Sequence, residues 1–175
     1  MAKTPFSRRL KGAPPLALIL GLMSQASAQT AWQECSRADV KALKVFTVGE
    51  ASLSRMNCDD TDPLSPPLKL EFAYFREVPG DAFAKAALHF LEKNLPQNRF
   101  DTLKPRFASF NSHYQNVDDG DTYTLVWMEQ DFELRLNNTP LAKEQGADFA
   151  RDYLKIWFGQ APYSKAMKAE LLGEP

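Results

Sequence analysis

The sequence predicts a domain of the α+β class, and three stretches carry this prediction. Residues 68–76 alternate between apolar and polar side chains, as a strand with one buried face does. Between Phe83 and Leu95 the apolar residues recur at the spacing of a helix, about 3.6 positions. A hairpin pattern at residues 123–136 precedes further helical patterns near the end. The order strand, strand, helices, hairpin, helices is that of an α+β domain.

The first 28 residues have the pattern of a secretory signal peptide and are set aside before the fold is considered. Basic residues are followed by a short apolar run at 16–23 and by the small-residue cleavage pattern Ala26-Ser27-Ala28. The apolar run is well below the roughly 20 residues of a membrane helix, so no transmembrane segment is expected in the mature chain. Cleavage near Ala28 predicts a periplasmic or secreted domain at 29–175, and Ser7-Arg8-Arg9 leaves a twin-arginine route open beside the general one.

Size and charge narrow the classes of function. The leader holds four of the 21 basic residues and none of the 22 acidic ones, so the remaining 147 residues carry a net charge of about −5. That length suits one domain with its own core. Proteins that bind nucleic acid or anionic lipid surfaces usually have the opposite sign of charge, so no nucleic-acid partner is expected.

The two cysteines, Cys35 and Cys58, predict a disulfide, because an exported chain folds in an oxidising compartment. The bridge would tie the N-terminal segment to the end of the first predicted strand. A metal site is the alternative, but it needs further ligands, and only His89 and His113 are present, in unrelated contexts. The aspartates of the loop at 58–67 lack the glycine and glutamate of a calcium loop, so no metal site is expected.

The first predicted strand covers Leu43 to Ser54, with Thr47, Gly49 and Ala51 at the centre of one face. These three side chains are small. A glycine inside a strand indicates a bulge, the close approach of another backbone, or the approach of a ligand, and all three interpretations stay open.

The second predicted strand, residues 68–75, ends in a polar residue. Leu68, Leu70, Phe72 and Tyr74 share one face of the pleat, and the alternation places Arg76 at the end of the same row. An arginine that closes an apolar row is a candidate partner for a carboxylate. The alternative is that Arg76 has no ligand and instead reaches solvent or pairs with a nearby acidic residue at the start of the helix.

The remaining elements follow from spacing and turn residues. Pro105 predicts two short helical pieces between Pro96 and Tyr114, since proline starts or kinks a helix. Two closing helices are predicted around residues 148–158 and 165–172, with Gly159 as a left-handed stop for the first.

Sequence signatures of catalysis are mostly missing. The chain has no phosphate loop, no dinucleotide-binding glycine pattern, no Gly-x-Ser-x-Gly elbow and no His-Glu-x-x-His. No cofactor is therefore expected, and a hydrolase is disfavoured.

Several segments nevertheless resemble those of bacterial chalcone isomerase-like proteins. The most specific lie at the end of the chain, at residues 148–150, 156–159, 162–164 and 168–173. The strand at 46–53, the region around Arg76 and the pair Gly120-Asp121 are similar too. The resemblance spans essentially all of residues 29–175. It implies a large antiparallel sheet with a layer of helices on one face and a ligand cleft between the two layers.

The resemblance also implies candidate site residues. In the plant enzymes of this fold an arginine, a threonine and a tyrosine help to close a ring on a chalcone, and Phe46-Thr47 resembles the pair that contains the threonine. Thr47 and Arg76 are therefore the candidate catalytic residues. Tyr74, Arg76, Thr47 and Gly49 are the candidate ligand-binding residues, of which Tyr74 and Arg76 are taken from the strand pattern.

Three functions are consistent with these residues. The first is a non-catalytic binder of a small apolar acid such as a fatty acid, since other proteins of this fold bind fatty acids. The second is an isomerase, an intramolecular lyase of the chalcone isomerase type. The third is a structural protein of the cell envelope without a ligand. A cavity between the sheet and the helices would favour the first two over the third.

Overall fold

The computed structural model describes Met1 and residues 31–42, 46–60 and 62–174, and it confirms the α+β class. The predicted leader at 1–28, Met1 apart, lies outside the described residues. The strands are β1 (Gln33–Ala42), β2 (Phe46–Arg55), β3 (Leu68–Tyr74), β4 (Thr122–Met128), β5 (Asp131–Leu136) and β6 (Thr139–Gln145). The helices are α1 (Gly80–Asn94), α2 (Gln97–Asn111), α3 (Ala147–Phe158) and α4 (Lys165–Leu172).

The strands form one antiparallel sheet in chain order, from β1 to β6. Helices α1 and α2 are inserted between β3 and β4, which are neighbours in the sheet. The alternation predicted for β3 is confirmed, since Leu68, Leu70, Phe72 and Tyr74 are all buried. Lys69 and Glu71 point to the other face, where they pair with each other. The core therefore lies between the helices and one face of the sheet.

Both edge strands of the sheet, β1 and β6, are absent from the sequence prediction. β1 has four charged residues and a register shift between Glu34 and Ser36 that leaves Cys35 unpaired. β6 contains Pro140 and a shift opposite Leu134 and Arg135. Charges, proline and bulges keep the edges of a sheet from pairing with other chains. The same features interrupt the alternation by which a strand is recognised.

A β-bulge at Val48 corrects the predicted face of the first strand. Val40 pairs with Gly49 and Lys41 with Thr47, so Val48 is an extra residue in β2. One extra residue moves the following positions to the opposite face. Val48 is buried, and Thr47 lies on the outer face with its hydroxyl 3.5 Å from Asp39 Oδ2. The prediction that Thr47 shares a face with Gly49 is therefore wrong; residues 43–45 of the predicted strand lie outside the described ranges.

Two predictions for the helices are also wrong. α2 is one continuous helix from Gln97 to Asn111 that contains Pro105, and this proline lies on the exposed side of the helix. Gly159 ends α3 with extended backbone, at φ −71° and ψ −173°, rather than in the left-handed region. Its lack of a side chain matters for packing instead, since a Cβ there would collide with the side chain of Asn94.

The predicted disulfide between Cys35 and Cys58 is confirmed. It joins β1 to the loop that follows β2, and the side chain of Arg55 binds the same loop. The guanidinium is buried and donates to Asp60 Oδ2 at 3.2 Å and to the Asp62 carbonyl oxygen at 2.6 Å. A covalent bond and a buried cation therefore fix a segment that is otherwise rich in turns.

Gly49 lies against the backbone of the neighbouring strand β3, and this close approach predicts the effect of a larger residue on stability. A Cβ at Gly49 would collide with the Ala73 carbonyl oxygen of β3. We expect Gly49→Ala to lower the free energy of unfolding by about 1 to 3 kcal/mol, the usual cost of overpacking. Urea unfolding followed by circular dichroism measures the change. The matched control is Ser52→Ala on the outer side of the same strand, which should change stability by less than about 0.5 kcal/mol.

An increase in stability would contradict this account of Gly49. Alanine in an open position of a strand is more favourable than glycine by about 0.5 to 1 kcal/mol, so the sign of the change distinguishes a crowded position from an open one.

Candidate functional site: a cavity between sheet and helices

A cavity of about 250 Å³ lies between the inner face of the sheet and the helical layer. Its floor is made by strands, among them Phe72 and Tyr74 of β3 and Tyr123 and Leu125 of β4. Its roof is made by α1 and α3. The cavity is therefore centred on the boundary where β3 and β4 pair.

Small residues of α1 leave the space open. Ala82, Ala86 and Ala87 line the cavity from α1, and Phe83 is the one long side chain that this helix contributes to the described lining. Ala87 is buried and Ala82 is exposed to solvent. The cavity thus runs from the core towards the surface beside the start of α1.

Aromatic side chains from both the sheet and the helical layer line the rest of the cavity and pack against each other. The ring of Trp157, on α3, lies 5.1 Å from that of Phe72. Phe83 packs against Tyr74, Tyr114 and Tyr123 at ring distances of 5.2 to 5.5 Å. Such tilted and edge-on pairs stabilise ring positions beyond the area they bury. The wall is therefore largely preformed.

Four tyrosines line the cavity, and three of them have hydroxyl groups bonded to the protein. The Tyr153 hydroxyl donates to Asn111 Oδ1 at 2.6 Å and lies 3.1 Å from the Tyr114 hydroxyl. Because the single hydrogen of Tyr153 is used on Asn111, Tyr114 is the donor of the second bond. The hydrogen of Tyr114 is thus committed to the protein interior, and its oxygen keeps an unused acceptor position.

The hydroxyl hydrogens of Tyr123 and Tyr163 are also donated to protein atoms. Tyr123 donates to the Gln115 carbonyl oxygen and accepts from the Gln115 N–H, both at 2.7 Å. Tyr163 donates to the Lys41 carbonyl oxygen at 3.1 Å. The loop that carries Tyr163 is fixed by Asn94, whose side chain bonds both the N–H and the carbonyl oxygen of Ala161. Neither tyrosine has a hydrogen left for a ligand.

Tyr74 differs from the other three. Its side chain is buried, yet its hydroxyl has no hydrogen-bond partner among the described residues. The hydroxyl is not sealed inside protein either, since Asn111 Nδ2 is the one fully enclosed side-chain nitrogen or oxygen without a partner in the described part of the chain. Tyr74 therefore lines the cavity with a hydroxyl hydrogen that no described residue accepts.

Burial keeps these tyrosines protonated. Desolvation raises the pKa of Tyr74 well above its ordinary value, and the neighbouring Tyr114, Tyr163 and Tyr123 raise it further. Burial raises the pKa of Tyr114 as well, against a smaller lowering by the bond to Tyr153. At neutral pH the Tyr74 hydroxyl is consequently a hydrogen-bond donor.

No described residue that lines the cavity carries a formal charge. Within the described ranges there is also no group of three or more His, Cys, Asp or Glu that could hold a metal ion. None of the helices in that part of the chain is long and apolar enough to cross a membrane. The chemistry of the cavity is therefore that of an apolar space with a few hydroxyl groups.

The structure separates the site residues predicted from the sequence. Tyr74 lines the cavity, and Gly49 pairs with it in the sheet but touches backbone rather than open space. Thr47 lies on the outer face because of the bulge at Val48. Arg76 is exposed: β3 ends at Tyr74, so the alternation that placed Arg76 in the apolar row does not extend to it. Thr47 and Arg76 are thus not brought together at the cavity.

Sequence reasoning missed most of the cavity residues. Tyr123 could have been found, since it alternates with Leu125 and Trp127 on the inner face of the predicted hairpin. Tyr114 and Tyr163 lie in the segments that follow α2 and α3, where no periodicity shows which way a side chain points. Of the cavity alanines of α1, Ala87 belongs to the predicted apolar helix face, but spacing does not reveal that this face borders a void.

Comparisons with known proteins agree with this architecture. No curated protein matches the chain. Among solved structures, a fatty-acid binding protein of Arabidopsis thaliana is similar, with a TM-score of 0.58 and 14% sequence identity over 84% of this chain and 89% of that one. At this identity the likeness concerns the fold. A sequence profile described as chalcone isomerase-like matches residues 53–173, most of the described domain. The chain therefore belongs to the chalcone isomerase-like family.

Proposed function

We propose that the protein is a non-catalytic binder of a small, predominantly apolar molecule, such as a fatty acid or a compound of similar size. The observation that carries this proposal is the cavity of about 250 Å³ between the sheet and the helices. It combines an apolar lining with one uncommitted hydroxyl, the usual composition of a small-molecule pocket.

The volume limits the size of the ligand. An apolar cavity of about 150 Å³ can hold benzene, and pockets for drug-sized ligands start at about 300 Å³. The cavity of this protein lies between these values. A medium-length acyl chain or a compound of one or two rings fits this range better than a long lipid.

The placement of the candidate residues favours binding over catalysis. The proposed isomerase residues Thr47 and Arg76 both lie outside the cavity lining, so the donors expected around a developing enolate are not assembled there. The third function, an envelope protein with a filled core, is disfavoured by the cavity itself. The fatty-acid binding protein of similar fold supports a binder as well.

We further propose that the domain acts outside the cytoplasm, after cleavage near Ala28. Two features support this location: the signal-peptide pattern of the first 28 residues and the Cys35–Cys58 bridge. Disulfides persist in oxidising compartments and are rare in the cytosol.

Filling the cavity from α1 tests the binding proposal. We expect the purified domain to bind a neutral fluorescent probe such as N-phenylnaphthylamine, and decanol should displace the probe. Ala86→Phe places a ring where the cavity is open and should weaken binding by at least about tenfold, or about 1.4 kcal/mol. Fluorescence titration measures both affinities.

The same helix offers a matched control. Ala84 is also half-buried on α1 but does not line the cavity, so Ala84→Phe should leave the affinity unchanged. If the unmodified protein binds neither compound, or if the two variants weaken binding equally, the cavity is not the ligand site and the proposal is wrong.

A further inference from the structure

The hydroxyl groups on the cavity wall offer a ligand more acceptor oxygens than donor hydrogens. Tyr114 and Tyr163 have given their hydrogens to Tyr153 and to the Lys41 carbonyl, so each can offer a ligand an acceptor oxygen. Among the described residues, the Tyr74 hydroxyl neither donates nor accepts a hydrogen bond. A ligand oxygen that enters the cavity can therefore accept a hydrogen bond from the Tyr74 hydroxyl.

We propose that the cavity takes its ligand in an uncharged form, with a hydroxyl, carbonyl or undissociated carboxyl oxygen that accepts a hydrogen bond from the Tyr74 hydroxyl. This inference rests on the proposed binding function and specifies the chemical class of the ligand.

The electrostatics of the wall disfavour a carboxylate in the cavity. An ionised group that leaves water needs a charged partner or several donors, and otherwise it takes up a proton. The titratable groups that face Tyr74 are three further tyrosines, Tyr114, Tyr123 and Tyr163, all of which burial keeps neutral. Tyr114 and Tyr163 donate their hydrogens to Tyr153 and to the Lys41 carbonyl oxygen, so neither offers the anion a donor. No Asp, Glu, Lys, Arg or His is among the described lining residues.

An uncharged polar group fits the same wall. A ketone oxygen can accept a hydrogen bond from the Tyr74 hydroxyl, and a ketone has no donor of its own that needs a partner. A hydroxyl or an undissociated carboxyl can accept from Tyr74 and also donate to the oxygen of Tyr114 or Tyr163, which satisfies both partners. A hydrocarbon without oxygen fills the space but leaves the Tyr74 hydroxyl without a partner, at a cost.

Four compounds of equal chain length test the proposal: decane, decanol, the methyl ketone of the same length, and decanoic acid. Their affinities are measured by displacement of N-phenylnaphthylamine from the purified domain. The ketone and decanol should bind about threefold to tenfold more tightly than decane, the range of one neutral hydrogen bond. Tyr74→Phe should remove this difference, because the ketone and decanol lose their donor and decane no longer leaves a hydroxyl without a partner. Decane should bind the variant at least as tightly as the unmodified protein, which also shows that the cavity of the variant is intact.

Decanoic acid provides the test of charge. If only the undissociated acid binds, its apparent affinity should fall by nearly tenfold for each pH unit above its own pKa, between about pH 5 and pH 8. The affinity for decanol should stay constant over the same interval. The dependence then reports the ligand, because the tyrosines of the cavity do not titrate in this range.

The outcomes separate this inference from the function on which it rests. Decanoic acid that binds at neutral pH as tightly as decanol, or equal affinities of decane and the ketone for the unmodified protein, would show that the inference is wrong while the cavity still binds apolar molecules. Failure of all four compounds to displace the probe, or failure of the probe to bind, would overturn the binding function and the inference together.

Discussion

Tyr153→Ala is expected to lower the free energy of unfolding by about 3 to 5 kcal/mol, the usual range for truncation of a buried aromatic residue. Tyr153 is completely buried on α3. Its ring lies 5.0 to 6.2 Å from the rings of five other aromatic residues: Phe107, Phe110, Phe132, Phe149 and Trp157. These come from α2, β5 and α3, so the truncation leaves a void where the two layers meet. Denaturant unfolding monitored by circular dichroism measures the loss.

The hydroxyl of Tyr153 contributes separately, and Tyr153→Phe isolates it. That variant should lose about 1 to 3 kcal/mol, because Asn111 Oδ1 and the Tyr114 hydroxyl each lose a buried partner. Phe75→Ala is the control for aromatic truncation, since Phe75 is 51% exposed and should change stability little. A loss of less than about 1 kcal/mol in Tyr153→Ala would show that the layers repack around the void.

Removal of the Cys35–Cys58 bridge has the second largest expected effect. Cys35→Ser or Cys58→Ser should cost about 2 to 4 kcal/mol, because the bridge restricts the unfolded chain across a separation of 23 residues. The double variant should cost no more than about 0.5 kcal/mol beyond either single one, since both remove the same bond. Unfolding with and without a reducing agent gives an independent value.

Intact-mass analysis of the protein recovered from the periplasm tests the pairing and the export together. The expected species lacks about the first 28 residues and is two hydrogen masses below the reduced chain. Two free thiols, or a retained leader, would contradict the proposed location.

The centre of the fold could be predicted from the sequence better than its borders. The side chains of β3 and β5 alternate between apolar and polar because one face of each strand lies on the core, and in β4 the inner residues Tyr123, Leu125 and Trp127 keep the same spacing. The edge strands were missed because charge, Pro140 and bulges replace that alternation. The disulfide was predictable since two cysteines that follow a signal-peptide pattern allow one intramolecular pairing.

The candidate site was predictable to a smaller extent, and Val48 shows why. One extra residue in β2 turned Thr47 outward; Gly49 left a bulge open as one of three interpretations, but it does not show at which residue the insertion lies. The end of β3 at Tyr74 likewise depends on contacts remote in sequence, since the Gly120 N–H donates to the Tyr74 carbonyl oxygen. Alternation identified Tyr74 as an inward residue, but its free hydroxyl emerged only from the bonds of its neighbours.

The insertion of α1 and α2 between β3 and β4 divides the sheet into two antiparallel halves of three strands each. Within each half, successive strands follow one another along the chain, whereas residues 75–121 separate the two strands that join the halves. The cavity lies across this junction and is lined by Val40, Val48, Phe72 and Tyr74 from one half and by Tyr123, Leu125 and Leu134 from the other. A bound molecule therefore acts as a non-covalent crosslink between the halves. By mass action, its binding free energy opposes any opening of the junction that disrupts the cavity, so the apo protein is the form in which the two halves separate most easily.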